Sequence, residues 1–239
     1  MRFDVVIPAR DEEPTVAEVV RAARAAPGAG TVYVVDDGSR DRTAEAAREA
    51  GATVLTARPP GAPGDKAQAL ARGVAAAGAP VLVFFDADIQ GVRPEHLEAL
   101  AAPVLAGEAV LSCGIIDYGR LRNPLFLRLP PITGLRALRR DLFEAIPEGR
   151  GNGFQIEILI NEVAARRRAP CAIRVLRGLT HRTKIEKTGW RHGLPAHLAM
   201  TRDLLACLRF VPLWTYGAYL RNLRVLPPAG QVPLPPVVR

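Results

Sequence analysis

Through the first 115 residues, short β-branched or fully apolar runs alternate with alanine-rich stretches of helical spacing. The runs at 4–8, 31–35, 52–57 and 81–85 predict four strands, and 15–26, 42–50 and 66–77 predict the helices between them. Pro27 and Gly28 stop the first helix. The strands are short and lack polar alternation, which is the pattern of strands buried on both faces of a parallel sheet. The expected class is therefore α/β, a mostly parallel, Rossmann-like central sheet with helices on both sides. Ligands of such sheets lie beyond the carboxyl ends of the strands.

Beyond that point the pattern loosens. Residues 94–106 read as a helix, 109–116 as a strand, 117–134 as an Arg-, Pro- and Gly-rich loop, and 171–176 as a last strand. In 154–168, Ile156, Leu159, Ile160 and Val163 fall on one helical face, and the basic C-terminal end suits the helix dipole. The stretch 208–224 sets Trp214, Tyr216 and Tyr219 among apolar residues with Arg at both ends, which suits either an interfacial helix or a helix packed on the core. After Leu226 the chain is proline-rich and expected to be extended.

With 239 residues, 49% of them apolar and 23% charged, the chain is long enough for a substantial core. That excludes a disordered tail or a disulfide-held mini-protein. Cys113, Cys171 and Cys207 are too scattered for a disulfide framework or a zinc site. The start, MRFDVVIPAR, lacks the order of a signal peptide, so a cytoplasmic setting is expected. The stretch Leu204 to Leu220 is interrupted by Arg209 and Pro212 and is short for a bilayer span. The formal charge of +8 is uneven: residues 1–130 hold 14 basic and 17 acidic side chains, residues 131–239 hold 18 and 7. The second half is thus suited to an anionic partner, whether nucleic acid, membrane surface or phosphorylated substrate.

Acidic clusters follow three of the predicted strands: PARDEE after the first, DDGSRD after the second and DADIQ after the fourth. Asp86 and Asp88 are two apart, so continued extension would turn both carboxylates to one side. Two hard oxygen ligands beside an open position suit Mg²⁺ or Mn²⁺, with water and a substrate diphosphate filling the other positions.

Four ordered segments carry a resemblance: VVIPARDEE at 5–13, VVDDGSRDRT at 34–43, GDKAQALARGV at 64–74 and FFDADIQGVRPEHL at 84–97. The chain resembles the family 2 glycosyltransferases, which have the GT-A fold. The resemblance implies a nucleotide-binding role for Pro8, Ala9, Arg10, Glu12, Asp36, Asp37, Lys66, Asp86 and Ala87. It assigns metal to Asp88, with Asp86 on ribose or metal. Where the family usually reads GKG, this chain reads GDKAQ around Lys66.

TGLRALRRDLF at 133–143 and GFQIEILINEVAARR at 153–167 resemble the branch of polyprenyl-phosphate sugar synthases. That likeness implies Gly134 beneath the donor sugar and puts Glu157 on the acceptor side, as a catalytic residue with Asp88 and Arg182. The EDxxxxxRW-type ending of processive, hydroxyl-acceptor members is absent. A phosphate acceptor is already an anionic nucleophile and needs basic positioning groups rather than a proton acceptor. GLTHRTKIEKTGWRHG at 178–193 supplies them: His181 as a third metal ligand, Arg182 and Lys184 on diphosphate or acceptor phosphate.

The expected organisation is one catalytic domain over 1–200, with a nucleotide half (1–115) and an acceptor half (116–200), followed by an amphipathic helix and tail (201–239). The expected activity is metal-dependent, inverting transfer of a sugar from a UDP- or GDP-sugar to polyprenyl phosphate, at the inner membrane face. The alternatives are a retaining enzyme with a small soluble anionic acceptor, resembling glucosyl-3-phosphoglycerate synthase, and an inactive lipid-binding relative. A sugar nucleotidyltransferase would need a Gly-rich basic loop after the first strand, and GAPGDKA lacks P-loop spacing. Nucleic acid is not expected as a partner, because no recognition module is visible.

Overall fold

The computed structural model describes residues 2–147, 155–181 and 213–230. The alternating first part folds as expected, with β1 (Phe3–Ala9), α1 (Val16–Ala25), β2 (Ala29–Asp37), α2 (Thr43–Glu49), β3 (Thr53–Arg58), α3 (Lys66–Ala76) and β4 (Val81–Phe84). Then come β5 (Ile89–Gln90), α4 (Pro94–Leu105), β6 (Leu111–Ile116), α5 (Asn123–Phe126), β7 (Arg136–Arg139) and α6 (Arg140–Glu144). The later elements are α7 (Gln155–Arg166), β8 (Cys171–Leu176), β9 (Thr180–His181), α8 (Leu213–Arg221) and β10 (Leu223–Val225).

Eight strands form one sheet in the order β10-β8-β6-β7-β4-β1-β2-β3. β1 pairs in parallel with both β2 and β4, so the carboxyl ends of these three strands share one edge. The chain runs outward from β1 through β2 to β3 and returns to β4 on the other side, which makes the β1/β4 boundary the switch point where a ligand crevice opens. One sheet face is covered by α1, α2 and α4, the other by α3, α7 and α8. α3 lies close to β1 because residue 73 is glycine: a Cβ there would overlap Val6.

The structure departs from the expectations in three places. β7 is an antiparallel strand between β4 and β6, in a segment whose four-residue run alternates too briefly to announce itself. The two-residue strands β5 and β9 pair with each other beside the main sheet. The expected boundary at residue 200 is not where the sheet ends, because β10 pairs in parallel with β8 at Leu223↔Cys171 and Val225↔Ile173. α8 packs on α7 with Thr215, Ala218 and Tyr219 buried, so the described part of 208–224 is a core-packed helix as well as a surface one. Among the described residues, no helix is long and apolar enough to cross a membrane.

Candidate active site

Two loops at the carboxyl edge are stitched together by their own acidic and hydroxyl side chains. Asp11 takes a left-handed conformation (φ 54°), and its amide donates to Ser39 Oγ while its carboxylate accepts from Arg40 N at 2.7 Å. Glu12 N donates to Thr43 Oγ1, and Glu13 N to Asp41 Oδ2, while Glu13 accepts from Arg42 N. Asp36 accepts from Ser39 N at 3.0 Å and so shapes its own turn. Much of the acidic excess in PARDEE and DDGSRD thus satisfies loop amides that would otherwise be unpaired. This includes Asp36, expected on the nucleotide.

Asp37 is different. It is buried, its Oδ2 accepts from Asp65 N at 2.5 Å, and among the described residues its Oδ1 has no hydrogen-bond partner, although Arg58 Nε lies 3.4 Å away. Burial raises the Asp37 pKa, and the Asp65 amide, Arg58 and Arg10 offset only part of that. A buried carboxylate oxygen without a donor marks a place where a ligand N–H is welcome. Gly64 closes against Arg10 and Asp37, where a Cβ would come within 3.0 Å of Asp37 Oδ2. Ala9 pairs with Asp36 across β1 and β2, and Glu12 starts α1 through its carbonyl. Pro8, Ala9, Arg10, Glu12 and Asp37 are therefore neighbours at this edge.

At the switch point lies a compact set of buried and half-buried charges. Asp65 caps α3, accepting from Ala67 N and Gln68 N, and so fixes Lys66 in the first turn. Lys66 Nζ bridges Asp86 Oδ1 at 2.7 Å and Glu157 Oε1 at 2.8 Å. Burial works against its charge, but the two carboxylates outweigh that and push its pKa up. Gly134 lies directly against the Asp86 carboxylate, which a Cβ would overlap. Arg136 is fully buried and, among the described residues, donates to backbone carbonyls, Nε to Thr133 O at 2.8 Å and Nη1 to Glu157 O at 3.2 Å. Together with Pro8, Leu70, Phe84 and Ile160 these groups line one narrow cleft.

The expectation that Asp86 and Asp88 face one side is corrected. β4 ends at Phe84, and a turn at 87–88 leads into β5, with Ala87 buried beneath it. Asp86 is directed to Lys66, whereas Asp88 Oδ1 lies 3.6 Å from His181 Nδ1. The cause is the β5–β9 pairing, which sets His181 opposite Ile89. Two cis ligands held about 2.1 Å from a Mg²⁺-like ion lie roughly 3 Å apart, so the Asp88–His181 pair fits a divalent cation with little movement. Among the described residues, no three His, Cys, Asp or Glu side chains form a ready cluster. Glu157, expected on the acceptor side, is buried and turned to Lys66. Arg182 and Lys184 lie outside the described residues. Arg58, Asp65 and Arg136 were not singled out in the sequence; the one visible signal was Asp65 standing directly before a helical run, as a cap does.

The family model described as "Glycosyl transferase family 2" matches residues 4–169. The chain belongs to that family. The family 2 chain is 29% identical to glucosyl-3-phosphoglycerate synthase of Mycobacterium tuberculosis, over 66% of this chain and 60% of that protein. It spans about 60% of the length of these mycobacterial relatives. It is 31% identical to undecaprenyl-phosphate 4-deoxy-4-formamido-L-arabinose transferase of Pseudomonas paraeruginosa, over 87% of this chain and 66% of that protein. The fold is similar to the crystal structure of the Mycobacterium tuberculosis synthase in complex with Mn²⁺, UDP and glucosyl-3-phosphoglycerate, with a TM-score of 0.70 and 28% identity over 90% of this chain and 80% of that one. That neighbour is a GT-A glycosyltransferase, and the fold here is GT-A.

Proposed function

We propose that the chain transfers a sugar from a UDP-sugar to a small phosphorylated acid of the phosphoglycerate kind, with a divalent cation at Asp88 and His181. The observation that carries the donor side is the meeting of Asp88 and His181 at 3.6 Å at the sheet's switch point. The acceptor is supported by the Mycobacterium tuberculosis synthase, whose structures hold Mn²⁺ or Mg²⁺ with UDP, and some of them phosphoglyceric acid with UDP-glucose.

In this reading Oδ1 of Asp37, beside Arg58, receives an N–H of the base, and Pro8, Ala9, Arg10 and Glu12 enclose base and ribose. Lys66 holds Asp86 toward the ribose side, and Glu157 orients the lysine instead of accepting a proton. Gly134, packed against the Asp86 carboxylate without a side chain, lies beneath the donor sugar. Arg182 and Lys184, one and three residues after His181 in sequence, supply positive charge for acceptor phosphate and departing diphosphate. A cation bound at Asp88 and His181 would supply charge for the departing diphosphate.

The Pseudomonas relative supports a second reading, in which the acceptor phosphate is carried on a polyprenyl lipid at a membrane face. The two are separated by measuring UDP and GDP release with Mn²⁺ over a panel of donors, with phosphoglycerate or polyprenyl phosphate as acceptor. Turnover on phosphoglycerate alone upholds the first reading, and turnover on the lipid alone replaces it with the second. Asp88→Ala is expected to lower turnover by about 10²-fold or more. Full Mn²⁺-dependent activity in that variant would remove the metal assignment.

A further inference from the structure

The rim of the cleft carries an apolar surface that the reaction as described does not use. Between β6 and Gly134 the chain exposes Leu121 (95%), Leu125 (60%), Phe126, Leu129 and Ile132. These side chains stand on a braced segment. Asp117 accepts from Gly119 N and Asn123 Nδ2, both at 2.8 Å, and Asn123 Oδ1 accepts from Tyr118 N. The Tyr118 and Phe126 rings pack with centroids 4.7 Å apart. At the far end Asn161 Nδ2 and Arg136 Nη2 both donate to Pro131 O. The fold therefore presents these leucines outward when ordinary collapse would bury them, which is the mark of an interaction surface.

Charge identifies the partner. Arg120, Arg122 and Arg128 are exposed among the leucines, and none pairs with a carboxylate among the described residues. The segment's one acid, Asp117, faces Arg177 at 3.8 Å. Next to it stands α8: Pro130 and the α8 residues Thr215, Tyr216 and Tyr219 line a shared cleft, and α8 exposes Trp214 (57%). A second copy docking by a two-fold axis would set arginines against arginines. An anionic bilayer accepts both kinds of group, the leucines in the acyl boundary and the guanidinium groups at the headgroups.

We propose that the surface made by residues 117–132 together with α8 docks the protein on an anionic lipid bilayer. It places the Gly134 side of the cleft next to the membrane. The proposal gives a place for the lipid-phosphate reading of the acceptor, but it is tested by binding and not by turnover, so either can fail without the other.

The test is sedimentation of the full chain with phosphatidylcholine vesicles that contain or lack about 30% phosphatidylglycerol. The expected result is binding that requires the anionic lipid. It should fall by about tenfold or more in Leu121→Glu/Leu125→Glu, and again in Arg120→Gln/Arg122→Gln/Arg128→Gln, with circular dichroism unchanged in both. No sedimentation of the parent chain overturns the proposal. So does binding that both variants retain, or a dimer in light scattering that Leu121→Glu/Leu125→Glu abolishes.

Discussion

Lys66 shows how one residue's chemistry follows from its neighbours. Two carboxylates, Asp86 and Glu157, share one ammonium in a cleft with little water, and each depends on it for solvation. Removing one partner of a buried ion pair typically costs about 3–5 kcal/mol, because the remaining charge is left unpaired. Lys66→Met should therefore lower the urea midpoint by an amount equivalent to about 3 kcal/mol. Lys66→Met/Glu157→Gln should recover part of this loss, since one stranded charge is removed. If both variants are equally unstable, the bridge does not couple the two residues. Sequence alone exposed Lys66, Asp86 and Glu157 as candidates, but it offered no means of joining them: Lys66 and Glu157 are 91 residues apart and meet only through the packing of α3 and α7.

At the scale of elements, α4 is tied to the C-terminal segment by one imidazole. His96 is fully buried in the first turn of α4, and its Nδ1 accepts from Arg93 N at 3.1 Å. Its Nε2 lies 3.0 Å from Arg177 O, which can only accept, so Nε2 carries the proton and the ring is neutral. Gly230, with φ +77°, fits against the ring where a Cβ would overlap it. Burial lowers the His96 pKa, and the Arg93 charge adds to this, while the Arg177 carbonyl and Glu95 oppose it. Above about pH 6.5 both folded and unfolded states are neutral here, and the stabilisation is complete. As pH falls below that, the unfolded chain takes up a proton that the folded chain refuses. Stability is then lost, by at most about 1.4 kcal/mol per pH unit for one proton, until the lowered folded pKa is reached. His96→Gln keeps an acceptor for the Arg93 amide, as in a capping box, but does not titrate. The loss in urea midpoint between pH 7 and pH 5 should be smaller in His96→Gln than in the parent, and equal losses would refute this role. The alternating βα elements were legible because each is a local pattern. β5 and β9 were not, since two-residue strands exist only through each other, and with them went the reason that Asp88 and His181 meet.

For the whole molecule, the question is where the folded unit ends. From the sequence, one catalytic domain is expected over 1–200, followed by an amphipathic helix and tail over 201–239. The packing answers differently. β8 would be the sheet edge without β10, which supplies it with Cys171 N→Asn222 O at 2.9 Å and Leu226 N→Ile173 O at 2.8 Å. Ala229 exchanges bonds with Val175 and Arg177 one turn further on. Tyr219 is buried against Cys113, its hydroxyl 3.9 Å from the thiol, and burial raises the pKa of both groups. Burying an aromatic side chain of this kind stabilises by about 3 kcal/mol, a large part of the roughly 5–15 kcal/mol that holds an ordinary domain together. A chain cut after residue 200 loses this tyrosine, the cover over α7 and the outer strand in one step. It should bind a hydrophobic dye, and its thermal unfolding by circular dichroism should be broad or absent, whereas the full chain melts cooperatively. Tyr219→Ala in the full chain isolates the core contribution and should lower stability by about 3 kcal/mol. A truncated chain that melts as sharply and as late as the parent would instead make 1–200 the folded unit, with β10 and α8 as appendages to it.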